Sequence, residues 1–314
     1  MKKLLLVSTV IALLVNTSCD KVENAYPEGA GSGNSTLDWG LYPDGDSAHY
    51  AQNHWPSWTD NTNTLRNVLF EDFTGHQCTN CPPSTANMEN LIATNPERMF
   101  AASIHAGNLG LTGFQLTNSE FPRVMYCDEG LEIGTYFGSL PGSSFQGNPA
   151  FCVNRVKANN QYTSNAGSAI SNKANACLAS ALKVNIQAAT NYFPSTRGLF
   201  LHTEVDVIDN SLTSELGQVV YLIEDSLIGP QKLSDGSTNV SYVHRDIFRG
   251  CIDGKAFGRV LEASDLDPDN GKYYVNYSYR LPDQYTNPDN IHLLIYVYDK
   301  ETLEIYQVIE KELH

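Results

Sequence analysis

The stretch NVLFEDFTGHQCTNCPPSTANM, Asn67 to Met88, decides how this chain is read. Its apolar start, Val68 to Phe73, has the length and composition of a strand, and TGHQ breaks it. Met88, Leu91 and Ile92 then recur at helical spacing. Cys78 and Cys81 stand at the junction with Pro82 and Pro83 behind them. Prolines suit a first helical turn, whose N–H groups have no partner within the helix. This order puts Cys78 at a helix N-terminus, where the helix dipole favours the thiolate that attacks disulfides. Cys81, one turn on, is then the resolving thiol.

What a thiol pair does depends on its compartment. The chain opens MKKLLLVSTVIALLVNTSC: two lysines, an apolar run from Leu4 to Val15, small polar residues and Cys19. That is the layout of a signal peptide over 1–18, and the run is too short to span a bilayer. Cys19 is the expected lipid-attachment site and mature N-terminus, followed by a flexible tether over 19–36. Of seven cysteines, setting Cys19 aside leaves six, an even number suited to an oxidising compartment. The formal charge of -15 argues against nucleic acid as a partner. Membrane contact is expected through the N-terminal lipid alone.

The pattern changes near residue 180. Over 65–180 short apolar strands alternate with helix-like segments, the signature of an α/β unit, which SAISNKANACLASAL closes as a helix. Over 181–314 seven strand-like runs follow one another without helices, among them QVVYLIEDS, SYVHRDIFR and IHLLIYVYD, which suggests an all-β, immunoglobulin-like sandwich. The lead-in over 37–64 holds all three tryptophans among glycines and prolines and is expected to pack irregularly on the first unit. DLDPDNGK, Asp265 to Lys272, reads as a hairpin turn, since its glycine lies one place late for a calcium loop.

The C-x-x-C after a strand and before a helix resembles the thioredoxin superfamily. GNPAFCVNR supplies the proline that such proteins place in cis ahead of a core strand, so the resemblance implies a cis Pro149 and a substrate groove lined by Asn148 and Pro149. The whole pattern, lipoprotein signal, TG-x-x-C-x-x-CP, a strand ending in Asn154 and Arg155, and a β-rich second half with SYVHRDIFRG, resembles the Bacteroidetes outer-membrane-protein-28-related lipoproteins. That implies an outer-membrane-anchored lipoprotein, periplasmic or surface-exposed, with a thioredoxin-like domain.

Three functions remain open. Cys78 and Cys81 exchange thiols and disulfides with extracytoplasmic proteins, making the chain an oxidoreductase. Or the pair is a permanent disulfide in a surface binding module. Or it handles copper or zinc together with His76 or His105, although one C-x-x-C supplies only half of a closed site. No cofactor and no resident metal are expected. Cys127, Cys152, Cys177 and Cys251 allow three connectivities. The expected one joins Cys127 to Cys152 and Cys177 to Cys251. His244, Arg245 and Arg249 are expected on one strand, at a solvated face or a contact between the two halves.

Overall fold

The computed structural model describes residues 37–165 and 167–313. The signal peptide, Cys19 and the tether fall outside the described residues. The helices are α1 (Ser47–His54), α2 (Cys81–Ile92), α3 (Asp128–Ser139) and α4 (Ser168–Ala179). The strands of the first half are β1 (Val68–Phe73), β2 (Met99–Ile104), β3 (Ala150–Val153) and β4 (Thr163–Ser164). Then come β5 (Val184–Phe193), β6 (Gly198–Val207), β7 (Leu216–Glu224), β8 (Leu227–Lys232) and β9 (Thr238–His244). The last are β10 (Ile247–Cys251), β11 (Arg259–Val260), β12 (Tyr273–Arg280), β13 (Ile291–Asp299) and β14 (Ile305–Glu312).

Strands from both sides of residue 180 join one nine-stranded sheet. Its order is β14-β13-β7-β10-β2-β1-β3-β4, with β11 also paired to β7. The seam is β10 on β2, a parallel contact registered at Ile247 and Ser103. This corrects the expectation of a self-contained immunoglobulin-like sandwich over 181–314. The strands β5, β6 and β12 form a three-stranded sheet, but the layer they pack against is the shared sheet.

Strand alternation explains the layers, because successive side chains point to opposite faces. On one face, Leu69 and Phe73 of β1, Tyr221 of β7 and Tyr296 of β13 share a core with Ile133 and Phe137 of α3. On the other face, Val68 and Phe70 pack with Met88 of α2 and with Ile170 and Cys177 of α4. Farther along that same face, Val220, Leu293 and Ile295 meet Ile186, Leu201 and Val275 of the three-stranded sheet. β13 is buried along its whole length because both of its faces are covered.

The two halves are also joined through hydrogen bonds that a buried ion pair of the first half makes to tyrosines of the second. Arg155, held at φ 51°, donates from Nε and Nη2 to the two carboxylate oxygens of Glu71 at 2.9 and 2.7 Å. The Nη2 also reaches the hydroxyls of Tyr221 and Tyr296, at 3.0 and 2.9 Å. Removing Glu71 would strand a guanidinium with no exposed side-chain surface.

The lead-in packs on the second half, which corrects its expected place on the first. Tyr42 and Tyr50 cluster with Phe200 of β6, flanked by Trp39, Trp55 and Phe193. The hydroxyl of Tyr50 meets His202 Nε2 at 2.7 Å, so α1 covers the outer face of β6. The segment also contains the helix α1, capped by Asp46, which accepts from the N–H groups of Ala48 and His49. Residues 265–272 form a turn closed by Asp267 and Lys272.

Candidate functional site

β1 ends at Phe73, and the chain turns through Thr74 to Asn80 before α2 begins at Cys81. Cys78 therefore precedes the helix by a turn, instead of opening it. Cys81 takes the first helical position and donates its N–H to the carbonyl of Cys78 at 3.3 Å. The two sulfurs form a disulfide, with Cα atoms 5.4 Å apart.

The second landmark lies beside the first because of strand register. Ala150 of β3 is opposite Phe73 of β1, so Pro149 falls level with the start of the cysteine loop. The Asn148–Pro149 peptide bond is cis. Gln115 ties the two segments together, its Nε2 donating to Thr74 O at 2.7 Å and to Asn148 Oδ1 at 3.2 Å. Asn148 in turn donates from Nδ2 to Ala106 O at 2.8 Å.

Cys78 and Cys81 are each only 1 % exposed, so the disulfide is closed off from solvent. Two segments cover them. On one side, Phe114 O accepts from the N–H of Gln77 at 3.1 Å and Leu116 O contacts His76 Nε2 at 2.9 Å. Gly75 permits this approach, since a Cβ there would sit 2.6 Å from Phe114 O. On the other side lies the β8–β9 hairpin. Gln231 Nε2 donates to Cys78 O at 3.2 Å, and the N–H of Lys232 donates to His76 O at 2.8 Å.

Beneath the hairpin is a cavity of about 20 Å³, room for a single water-sized body. Cys81, Thr85, His105, Gln231, Tyr242 and His244 line it. The rings of His76, His105 and His244 form a chain with centroids 6.3 and 6.1 Å apart. Burial lowers all three: His244 to about 4, His105 well below the ordinary imidazole value, and His76 downward despite its contact with Leu116. His105 and His244 are thus neutral near pH 7. His105 Nδ1 and His244 Nε2 are buried without a hydrogen-bond partner. Among the described residues no group of three or more His, Cys, Asp or Glu is placed to hold a metal ion.

Asp72 is a member of the site that the sequence reading passed over. It shares β1 with Glu71 but points to the opposite face, toward α2, where Thr85 Oγ1 donates to its Oδ2 at 2.7 Å. Burial pushes its carboxyl up to about 7, with Thr85 opposing and Glu89 adding to the rise. The signal was two adjacent acids in an otherwise apolar strand. His244 was also missed as a site residue. The strand expected over SYVHRDIFR breaks at Arg245 and Asp246, the latter at φ 51°, so β9 leaves over the cysteines while β10 enters the main sheet.

The expected second and third disulfides are absent: Cys127, Cys152, Cys177 and Cys251 are free. Cys127 lies against β10, with Sγ 3.8 Å from Phe248 O, whereas Cys152 is on β3. Three strand steps, about 14 Å, separate β10 from β3. Cys177 and Cys251 belong to cores on opposite faces of the sheet. Burial raises all four thiols, Cys127 to about 12.

No helix among the described residues is long and apolar enough to cross a membrane. Residues 143–314 match the family model of outer membrane protein Omp28. No curated protein matches the chain. Among solved structures, HBP35 of Porphyromonas gingivalis is similar at 17% identity and a TM-score of 0.61, covering 81% of this chain and 77% of that one. A domain of the outer membrane lipoprotein Omp28 from Porphyromonas gingivalis matches at 19% identity and a TM-score of 0.29, over 42% of this chain and 88% of that one. Because the family match spans more than half of the sequence, the chain belongs to the outer membrane protein Omp28 family and is a protein of the cell envelope.

Proposed function

We propose that the protein is an outer-membrane lipoprotein, anchored through Cys19, whose thioredoxin-like half exchanges disulfides with extracytoplasmic proteins at Cys78 and Cys81. The observation that carries this reading is the meeting of three features at one end of the sheet. They are the disulfide between Cys78 and the first residue of α2, the cis Asn148–Pro149 bond one step beyond the Phe73–Ala150 pair, and an acid poised near neutrality on the face toward α2.

In the oxidising direction a substrate thiolate attacks one sulfur of the pair and forms a mixed disulfide. A second substrate thiolate then attacks the substrate sulfur of that mixed disulfide and releases the protein cysteine, leaving the substrate as a disulfide and Cys78 and Cys81 as thiols. In the reverse direction Cys78 attacks and Cys81 resolves. Each direction moves two electrons and two protons between the partners. Asp72, linked through Thr85 to the cavity that Cys81 lines, is suited to hold one of those protons near pH 7. Asn148 and Pro149 line the groove for the substrate segment.

A second reading has one observation in its favour, the burial of both sulfurs: the disulfide is a permanent staple in a surface binding module. Trapping separates the two. Cys81→Ser in cells should hold partners as mixed disulfides that appear off the diagonal in a two-dimensional gel, and Cys78→Ser should abolish exchange with model disulfides. If Cys81→Ser traps nothing and the purified protein neither oxidises nor reduces model disulfides, the staple reading stands.

A further inference from the structure

We propose that the face of the Gly75–Cys78 loop now occupied by β8 is a docking surface for an extended, cysteine-bearing segment of a partner protein. The β8–β9 hairpin is the chain's own occupant of that surface. This rests on the exchange reading above and gives it a substrate class.

The contacts β8 makes are those an extended segment can supply. The backbone N–H of Lys232 donates to His76 O at 2.8 Å, a backbone-to-backbone bond from the strand to the turn. The carboxamide of Gln231, from a side chain 4 % exposed, donates to Cys78 O and also reaches Gly75 O at 3.4 Å. Three carbonyls of the cysteine loop thereby accept from one backbone N–H and one amide side chain, Gly75 O and Cys78 O doing so in addition to the N–H groups of Cys78 and Cys81. An incoming segment with the same pair of donors replaces β8 without leaving an acceptor empty.

The hairpin is also the covering element least tied to the rest of the fold. β8 pairs only with β9, and no residue from 227 to 244 belongs to any of the hydrophobic cores. Its outward side chains Ile228 and Val240 are 59 % and 72 % exposed, so no core of the described residues extends over its outer side. Apart from Gly229, which lies against the Met125 methyl, its link to the other covering segment is polar. Thr238 donates to Glu120, and Lys232 stands 3.8 Å from the same carboxylate, itself 51 % exposed. An element held by hydrogen bonds opens far more often than one held by a core. While both covers are closed the sulfurs are shut in, and the hairpin is the cover that an incoming protein segment displaces.

The test uses the oxidised chain, a small reductant and a cysteine-free peptide. Gln231→Ala removes the side-chain donors, and Glu120→Ala, at an exposed position, removes only the link between the covers. Gln231→Ala should speed reduction of Cys78–Cys81 by dithiothreitol about tenfold, and Glu120→Ala by a smaller factor, as expected for losing one or two hydrogen bonds. Hydrogen exchange should quicken over 227–244 while the amides of β7 and β13 keep their protection. A fluorescent peptide of the β8 sequence, LIGPQKL, should bind Gln231→Ala about tenfold more tightly than wild type. The same peptide with Lys232→Pro, which lacks the donating N–H, should not. Equal reduction rates in all three proteins, or peptide binding no tighter to the opened variant, would overturn the proposal. Neither measurement needs exchange with a protein. Failure of the exchange reading shows instead in the Cys81→Ser trapping, so the two failures are distinguishable.

Discussion

β7 with β13 and β8 with β9 are both antiparallel pairs from the second half of the chain, yet they are held in place differently. β7 and β13 lie inside the nine-stranded sheet with a core on each face. β8 and β9 join no core and lie across the cysteine loop by a few hydrogen bonds. The contrast shows where this fold keeps its stability and where it leaves freedom to move. The sheet binds the two halves into one structure, and the Cys78–Cys81 disulfide sits beneath an element that belongs to none of the hydrophobic cores.

Glu71 and Asp72 bring the contrast down to neighbouring residues. Glu71 faces the stable side, paired with Arg155, and Glu71→Ala leaves that guanidinium buried and unpaired. The loss should be about 3–5 kcal/mol in denaturant unfolding, the largest effect expected here. A loss below about 1 kcal/mol, the range of an exposed pair, would mean that Arg155 finds water or another partner.

Asp72 faces the site, where burial holds its carboxyl near 7, above its ordinary value. A carboxyl raised by folding contributes stability at low pH, and that contribution is lost as pH rises through the folded value. Asp72→Asn cannot ionise. Its stability relative to wild type should therefore grow by about 2–4 kcal/mol between pH 4 and pH 8, at 1.36 kcal/mol per pH unit over the titration. A pH-independent difference would place the carboxyl in a solvated setting.

A matched pair of small changes completes the comparison. Ile295→Val on β13, at a fully buried position, should cost about 0.5–1.5 kcal/mol. Ile228→Val on β8, 59 % exposed, should stay within about 0.5 kcal/mol. Equal costs at the two sites would contradict the view that the hairpin lies outside the core.

Part of this was legible in the sequence. VLFEDF, the C-x-x-C and the period of Met88, Leu91 and Ile92 are local signals, and each survives in β1, the cysteine loop and α2. α4 likewise falls within SAISNKANACLASAL. The partner of each later strand was not legible, because alternation tells a strand which side is buried and not which neighbour it takes. One clue was present. IHLLIYVY is apolar nearly throughout, as suits a strand covered on both faces, and that argues against a sandwich strand with one wet face. Cysteine spacing carried no information on distance across the sheet, so the expected pairs failed. The hairpin stayed hidden because LIGPQK has no alternation, and what positions it is the carbonyl array of a loop over 150 residues away.

The measurement closest to the central claim is the reduction potential of the Cys78–Cys81 couple in the purified chain, obtained by equilibration against defined thiol and disulfide mixtures. An exchange centre is predicted to lie in the span of thiol-disulfide oxidoreductases, between about -270 and -120 mV. A value well below about -300 mV, as for structural disulfides of secreted proteins, would contradict the exchange function and leave the pair as a staple.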